Sequence, residues 1–350
     1  MGVKYIQPIS AGSAEGLVAE VYSQIKQEFG SLVEPFTLHS PIPNLLAGAW
    51  MAARESQLVG RVRRDLKEAV AAVVSTINHC PYCIDAHTIT LKAIGKHKAS
   101  QAITNGEIDQ ISDSKMYSMI RWASATRSPG SEPLLSPPFS REEEPEVIGT
   151  AVFYHYINRM VTILLTETPL PSNRSWLKRP LKKLASLLFS EAVRRTIPRG
   201  ESLRFLPEAD LPPDLSWSKQ VPTIAQAFAC LASTIDSVGI RTLSPEVCKL
   251  IQEQVRTWKG EDPGLSRGWT EHKIRGLGEA SQAAGRLTLL TALAPHQVDD
   301  ETILNFQTYF PEDEELLGAL AWASFTAARK IGTWLQQPFS EDWESAHENS

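Results

Sequence analysis

The apolar and polar positions of this 350-residue chain recur mostly with the 3.6-residue period of an α-helix. Residues 14–29 place their apolar side chains on one helical face, and residues 146–165 form another long helical stretch. Residues 65–77 are apolar almost all round, so this helix is expected to be buried. No convincing two-residue alternation or hairpin signal accompanies this pattern. The sequence therefore predicts an all-α protein.

The composition narrows the class of protein. Hydrophobic residues make up 42% of the chain and charged residues 21%, which is ordinary for a globular protein with a sizeable core. A net charge of −5 gives no reason to expect a nucleic-acid partner. The first residues lead into no apolar run, and the apolar residues 151–165 are interrupted by His155 and Arg159, so we expect neither a secretory signal nor a membrane span. We therefore expect a cytoplasmic protein.

The candidate chemistry lies in a Cys-x-x-Cys motif formed by Cys80 and Cys83, with His87 four residues further on. Pro81 suits the first turn of a helix, which puts Cys80 at the cap, where unpaired N–H groups favour a thiolate. On that helix Cys80 and Cys83 are i,i+3 neighbours, and Cys83 and His87 are i,i+4 neighbours. The spacing predicts two thiols close enough to form a disulfide, with an imidazole placed to take a proton.

Glu68 lies in the apolar helix, twelve residues before Cys80. If the chain reverses near residues 78–80, the two helices form an antiparallel hairpin that brings Glu68 within about a turn of His87. A carboxylate there would fix the tautomer of the imidazole and raise its basicity. Alternatively, Glu68 is a surface residue at a helix start, where carboxylates are favoured. The spacing alone leaves both interpretations open.

The motif is compatible with two other uses, a zinc site and a glutaredoxin-type site. His79, Cys80, Cys83 and His87 are all possible zinc ligands, but four ligands at a single helix start do not easily surround one ion. Cys-Pro-Tyr-Cys is also the motif of glutaredoxins, which would require a strand before it and a βαβ context. The preceding segment is alanine-rich and helix-like instead. We therefore favour a helical redox site.

Glu68, the twelve-residue interval, Cys80-Pro-Tyr-Cys83 and His87 together resemble the active-site pattern of the alkylhydroperoxidase D branch of the carboxymuconolactone decarboxylase-like family. The resemblance implies an all-α fold and peroxidase or disulfide-reductase chemistry. It also implies that Cys83 attacks the substrate, that Cys80 resolves the oxidised product, and that Glu68 and His87 relay protons.

The resemblance covers roughly residues 15–165 and includes the later stretch His155-Tyr-Ile-Asn-Arg-Met160. Relatives often carry a histidine between the two cysteines, whereas this chain carries Tyr82. His155 is either a pocket residue or, as we favour for a lone histidine on an apolar helix, a core residue.

The C-terminal half of the chain looks like a degenerate copy of the N-terminal half. Residues 286–295 parallel residues 116–125 in kind, and residues 316–329 parallel residues 147–159. Between the halves, residues 175–197 predict an amphipathic basic helix, which we expect to pack across the domains rather than on an anionic membrane. The predicted order is a catalytic unit over 1–165, a proline-flanked basic connector over 166–217 and a degenerate repeat without Cys-x-x-Cys over 218–350.

We therefore expect a thiol-dependent peroxidase that reduces hydroperoxides without a cofactor or metal. The family suggests a lipoyl- or thioredoxin-type dithiol protein as the electron donor, and we expect a homo-oligomer. Two alternatives belong to other classes: a decarboxylase or other lyase acting on a lactone, in which the cysteine pair has no role, and a non-catalytic redox sensor. Turnover with peroxide and a dithiol donor separates an enzyme from a sensor.

Overall fold

The computed structural model describes residues 2–166 and 197–336. These residues form α-helices and short helical turns, with no β-strand beyond an isolated bridge between Val3 and Leu165. The predicted all-α class is confirmed, and the strands that a glutaredoxin fold needs are absent from the described residues. The predicted basic helix lies outside them, apart from Ile197. The N-terminal half contains α1 (Gly16–Phe29), α2 (Glu34–Thr37), α3 (Pro43–Ala53), α4 (Arg64–Ile77), α5 (Pro81–Ala93), α6 (His97–Asn105), α7 (Ser114–Ser124), α8 (Glu132–Leu135) and α9 (Glu144–Leu164).

The described C-terminal half continues with six helices of the same kind. They are α10 (Pro222–Thr242), α11 (Pro245–Thr257), α12 (Gly268–Ile274), α13 (Glu279–Leu293), α14 (Asp300–Gln307) and α15 (Asp313–Leu335). The short helix α8 lies in the segment between α7 and α9. Pro133 occupies the first turn of α8, where its missing N–H removes no helical hydrogen bond.

The predicted hairpin joins α4 and α5, which pack against each other. The chain reverses at His79, whose φ of 53° lies in the left-handed region. Cys80 is the N-cap of α5 and Pro81 occupies its first turn, as the sequence predicts. Helix α4 is buried along most of its length, including charged side chains at Asp65, Lys67 and Glu68. The hairpin therefore places the dithiol next to a buried carboxylate.

In each half, one helix packs against two others. Helix α4 packs against α7 and α9, and α11 packs against α13 and α15. These helices contain the segments that the sequence analysis pairs between the two halves. Their packing supports the predicted duplication. The exact domain boundaries stay a prediction.

The two halves share one hydrophobic core. Helix α9 packs along α15, and α3 packs along α10. At the second of these contacts Gly48 lies so close to α10 that a Cβ atom there would be 3.1 Å from the Cα atom of Leu231. The candidate catalytic unit therefore packs on the second half over a broad apolar surface.

Among the described helices, α10 is long and apolar enough to cross a membrane, judged by its length and composition alone. It packs between α3 and α15, and more than half of its most apolar window is buried inside the protein. A core helix of this kind has the same composition as a membrane span, because both are surrounded by apolar groups.

Candidate active site

The two thiols of the Cys-x-x-Cys motif lie in contact. The Sγ atoms of Cys80 and Cys83 are 2.7 Å apart, and both cysteines are free. Cys80 is fully buried and Cys83 nearly so. The predicted proximity is confirmed, since only a small movement separates the pair from a disulfide of about 2.05 Å.

Glu68 and His87 form the pair that the hairpin hypothesis predicts. The Nδ1 atom of His87 lies 2.7 Å from Oε2 of Glu68. Glu68 is only 1% exposed, so its interpretation as a surface residue at a helix start is wrong. Because a carboxylate accepts hydrogen bonds, this contact places a proton on Nδ1 and leaves Nε2 of the neutral ring available as a base.

Two further side chains hold the Glu68 carboxylate from the other side. Arg64 Nε and Gln57 Nε2 both donate to Oε1, over 2.7 and 2.9 Å. Burial by itself would raise the pKa of Glu68, but the charges and hydrogen bonds of Arg64 and His87 outweigh it and lower the pKa to about 2. Glu68 is therefore ionised over the physiological pH range.

Tyr154, which lies on α9, contacts this group as well. Its hydroxyl donates to Oε1 of Gln57 over 2.7 Å, and its ring meets the His87 imidazole edge-to-face with 4.6 Å between ring centroids. Burial, followed by the nearby Glu68 charge, raises the pKa of Tyr154 well above its ordinary value. Tyr154 therefore acts as a neutral hydrogen-bond donor that orients Gln57 and the imidazole.

A cavity of about 290 Å³ opens on this group. Cys83, His87 and Glu68 line it, whereas Cys80 does not. Cys83 is therefore the sulfur that a molecule in the cavity can reach, with Cys80 behind it. The other lining residues come from α1, from α2 and the segment before it, and from α5 and α9. Most of them are apolar: Phe29, Leu32, Val33, Pro35, Phe36, Ala86, Ile89, Phe153 and Ile157.

The surroundings of Cys83 keep its thiol protonated in the resting protein. Burial, followed by the hydrogen bond and charge of Cys80, raises the pKa of Cys83 well above its ordinary value. A hydrogen bond from Asn158 acts in the opposite direction. A thiolate at Cys83 therefore requires a base at the moment of reaction.

A buried polar network joins His155 and Asn158 of α9 to Asn78 and Thr126. Asn78 donates to Oδ1 of Asn158 and contacts Nδ1 of His155, both over 3.0 Å, while Nε2 of His155 contacts the Thr126 hydroxyl. Burial lowers the pKa of His155 well below its ordinary value. His155 does not line the cavity, which agrees with its favoured interpretation as a core residue.

Sequence reasoning placed the four residues Glu68, Cys80, Cys83 and His87, and the structure brings all of them together. Sequence reasoning did not identify Gln57, Tyr154 or Arg64 as parts of the site. Only Arg64 left a local signal, because it stands i,i+4 from Glu68 on the same helix. Gln57 reaches Glu68 from the helical segment just before α4, and Tyr154 reaches the site from α9, which is distant along the chain.

Comparisons with known proteins describe the same region. The model of the carboxymuconolactone decarboxylase family matches residues 44–108, which include α4, α5 and the dithiol. The chain is 39% identical over 333 residues to an alkyl hydroperoxide reductase of Mycobacterium tuberculosis, and the match covers 95% of each chain. The similarity thus extends over both halves, well beyond the residues of the family match.

Proposed function

Because this chain belongs to the carboxymuconolactone decarboxylase family, we propose that it is an enzyme that reduces organic hydroperoxides through Cys80 and Cys83. The observation that carries the proposal is the arrangement at the cavity. Cys83 faces the cavity, Cys80 contacts it from behind, and the hydrogen-bonded pair of His87 and Glu68 lines the same space. The near full-length similarity to an alkyl hydroperoxide reductase supports the same activity.

In the first step His87 takes the proton of the Cys83 thiol, and the thiolate attacks the outer oxygen of the hydroperoxide. The O–O bond breaks, Cys83 becomes a sulfenic acid, and the alkoxide takes the proton from His87 and leaves as an alcohol. The ionised Glu68 stabilises the imidazolium that forms between the two proton transfers. A general base typically contributes a factor of about 10²–10⁴ in rate, which offsets the high pKa of the buried thiol.

In the second step the Cys80 thiol attacks the sulfur of the Cys83 sulfenic acid. A disulfide forms, and the hydroxyl leaves as water with the proton of Cys80. A dithiol donor then reopens the disulfide by two exchanges and is itself oxidised. We propose a lipoyl- or thioredoxin-type protein as this donor, a cytoplasmic location and a homo-oligomeric assembly.

A lactone decarboxylase is less well supported by the site. The cavity lining contains no lysine or arginine among the described residues to hold a carboxylate-bearing lactone. That reaction also leaves the paired thiols without a role. A redox sensor would use the dithiol but would not need the proton-transfer pair that faces the cavity.

The roles of the two cysteines are tested with single variants and cumene hydroperoxide. We expect Cys80→Ser to consume one equivalent of peroxide and to stop at a trappable sulfenic acid on Cys83, without turnover. We expect Cys83→Ser to react at least about a hundredfold more slowly, because Cys80 lies behind Cys83 and lacks the base. Mass spectrometry after dimedone trapping identifies the oxidised residue.

Thiol counting on the unmodified protein provides the control, with a loss of two titratable thiols per chain under mild peroxide. If Cys83→Ser reacts as fast as the unmodified protein, Cys80 is the attacking thiol and the assignment is reversed. If the unmodified protein forms the disulfide but none of the dithiol donors supports turnover, the sensor alternative replaces the enzyme.

A further inference from the structure

Glu34 places a carboxylate in the wall of the cavity that Cys83 also lines. We propose that Glu34 is a specificity-determining residue, through which the enzyme accepts uncharged hydroperoxides and rejects those that carry a carboxylate. This inference rests on the proposed function and names the substrate class of the same site.

The charge of Glu34 is not balanced within the cavity. The other ionisable groups among the described lining residues are Glu68, His87, Cys83, Tyr82 and Tyr154, and no lysine or arginine is present. Glu68 is compensated by His87 and by Arg64 behind it. The described lining residues therefore include no lysine or arginine to offset the charge of Glu34.

Tyr82 holds this carboxylate close to the dithiol. The Tyr82 hydroxyl donates to Oε2 of Glu34 over 2.8 Å, and Tyr82 precedes Cys83 on the first turn of α5. Burial, followed by the charge of Glu34, raises the pKa of Tyr82 well above its ordinary value, so the phenol stays protonated and keeps donating. Glu34 also begins α2, where Pro35 restricts the backbone. The side chain of Glu34 is therefore restrained by the hydrogen bond from Tyr82, and its backbone is restrained by Pro35.

Fixed charge in apolar surroundings discriminates between substrates. The side chains around Glu34 are mainly aromatic and aliphatic, so water screens its charge less than at an open surface. A substrate carboxylate that enters the cavity is repelled, whereas an ester or alkyl group of the same size meets apolar walls. The site thus combines apolar selection with rejection of anions.

The test compares two hydroperoxides that differ only in charge: cumene hydroperoxide with a para-carboxylate and the methyl ester of the same compound. The readout is the ratio of kcat/KM for the carboxylate to kcat/KM for the ester. We expect the Glu34→Gln variant, which retains an acceptor for Tyr82, to raise this ratio about tenfold. We expect Glu34→Lys to raise it further.

Two matched variants separate charge from other effects. Tyr82→Phe removes the hydrogen bond that restrains the carboxylate but keeps its charge, so the ratio is expected to rise less than in Glu34→Gln. Glu253→Gln makes the same change of net charge at an exposed position on α11, outside the cavity, and is expected to leave the ratio unchanged. In the unmodified protein, raising the salt concentration from about 0.01 M to about 1 M is expected to raise the ratio, because salt screens the repulsion.

An unchanged ratio in Glu34→Gln would overturn the inference, even with normal turnover of the ester. If the glutamine variant does not fold, a ratio that is independent of salt in the unmodified protein overturns it equally. Absence of turnover with both peroxides in the folded protein is a different result, because it removes the proposed function itself.

Discussion

The reactivity of Cys83 depends on its neighbours rather than on its own acidity. Burial and the adjacent Cys80 raise the pKa of the thiol, so the fraction of thiolate in the resting protein is small. In the proposed mechanism, proton transfer to His87 makes the thiolate during the reaction, and the Glu68 carboxylate favours this transfer.

Replacing Glu68 by Gln tests the electrostatic part of this arrangement. The pKa of Glu68 falls to about 2 from an ordinary value of 4.5, so its ionised form stabilises the fold. This stabilisation is fully present above about pH 4.5 and is lost as the pH falls towards 2, by about 3 kcal/mol in total. We expect the difference in free energy of unfolding between the unmodified protein and Glu68→Gln to shrink over this interval, as measured by urea unfolding at several pH values.

The same variant should also slow oxidation of Cys83 at neutral pH, because the imidazolium loses its counter-charge. A matched control is Glu253→Gln, an exposed substitution for which no such pH dependence is expected. A stability difference that stays constant between pH 4.5 and 2 would show that Glu68 does not carry the stabilising charge.

A π-helical turn positions Gln57, the residue that links Glu68 to Tyr154. Residues Arg54–Leu58 continue α3 with wider hydrogen bonds, and the Val59 N–H donates to the carbonyl of Arg54, five residues back. Such turns occur often at functional sites, where they redirect a side chain. Here the turn carries Gln57, whose side chain reaches Glu68 on α4 and Tyr154 on α9.

Gln57→Ala tests whether this turn serves the chemistry. The substitution removes the amide that links Glu68 to Tyr154, and we expect oxidation of Cys83 by cumene hydroperoxide to slow about tenfold. Stopped-flow single-turnover measurements give the rate, and circular dichroism checks the fold. Gln252→Ala, at an exposed position on α11, is the control. A rate equal to that of the unmodified protein would reduce Gln57 to a packing residue.

At the scale of the whole molecule, the second half packs on the first, and we expect it to contribute no thiol chemistry. Helices α9 and α15 pack along each other within one core. Cys230 is buried with its Sγ atom 3.2 Å from the carbonyl oxygen of Pro207, and Cys248 is half-buried. Burial raises the pKa of both thiols, and neither has a described counterpart of the pair formed by His87 and Glu68.

We expect the double variant Cys230→Ala, Cys248→Ala to keep turnover within a few-fold of the unmodified protein. Its unfolding free energy should fall by no more than about 1–3 kcal/mol, because only one of the two sulfurs leaves a fully buried site. Steady-state peroxide consumption and thermal unfolding measure the two effects separately. Loss of turnover in a folded double variant would show that the second half carries chemistry of its own.

The sequence by itself determined the helical class and the positions of Glu68, Cys80, Cys83 and His87. These inferences succeed because they depend on short separations: a helical period, a first-turn proline, and i,i+3 or i,i+4 neighbours within one hairpin. The distance of 2.7 Å between His87 and Glu68 follows from the reversal between α4 and α5, which residues 78–81 already indicate.

Only the tertiary structure decided what surrounds that group. Gln57 meets Tyr154 across 97 residues, and Tyr82 meets Glu34 across 48, so no local period connects either pair. The interpretation of Glu68 as buried rather than exposed also depended on how α5 and α9 cover α4. Contacts of this kind arise from the packing of whole helix faces, and their side chains are selected by the shape of the core rather than by neighbours along the chain.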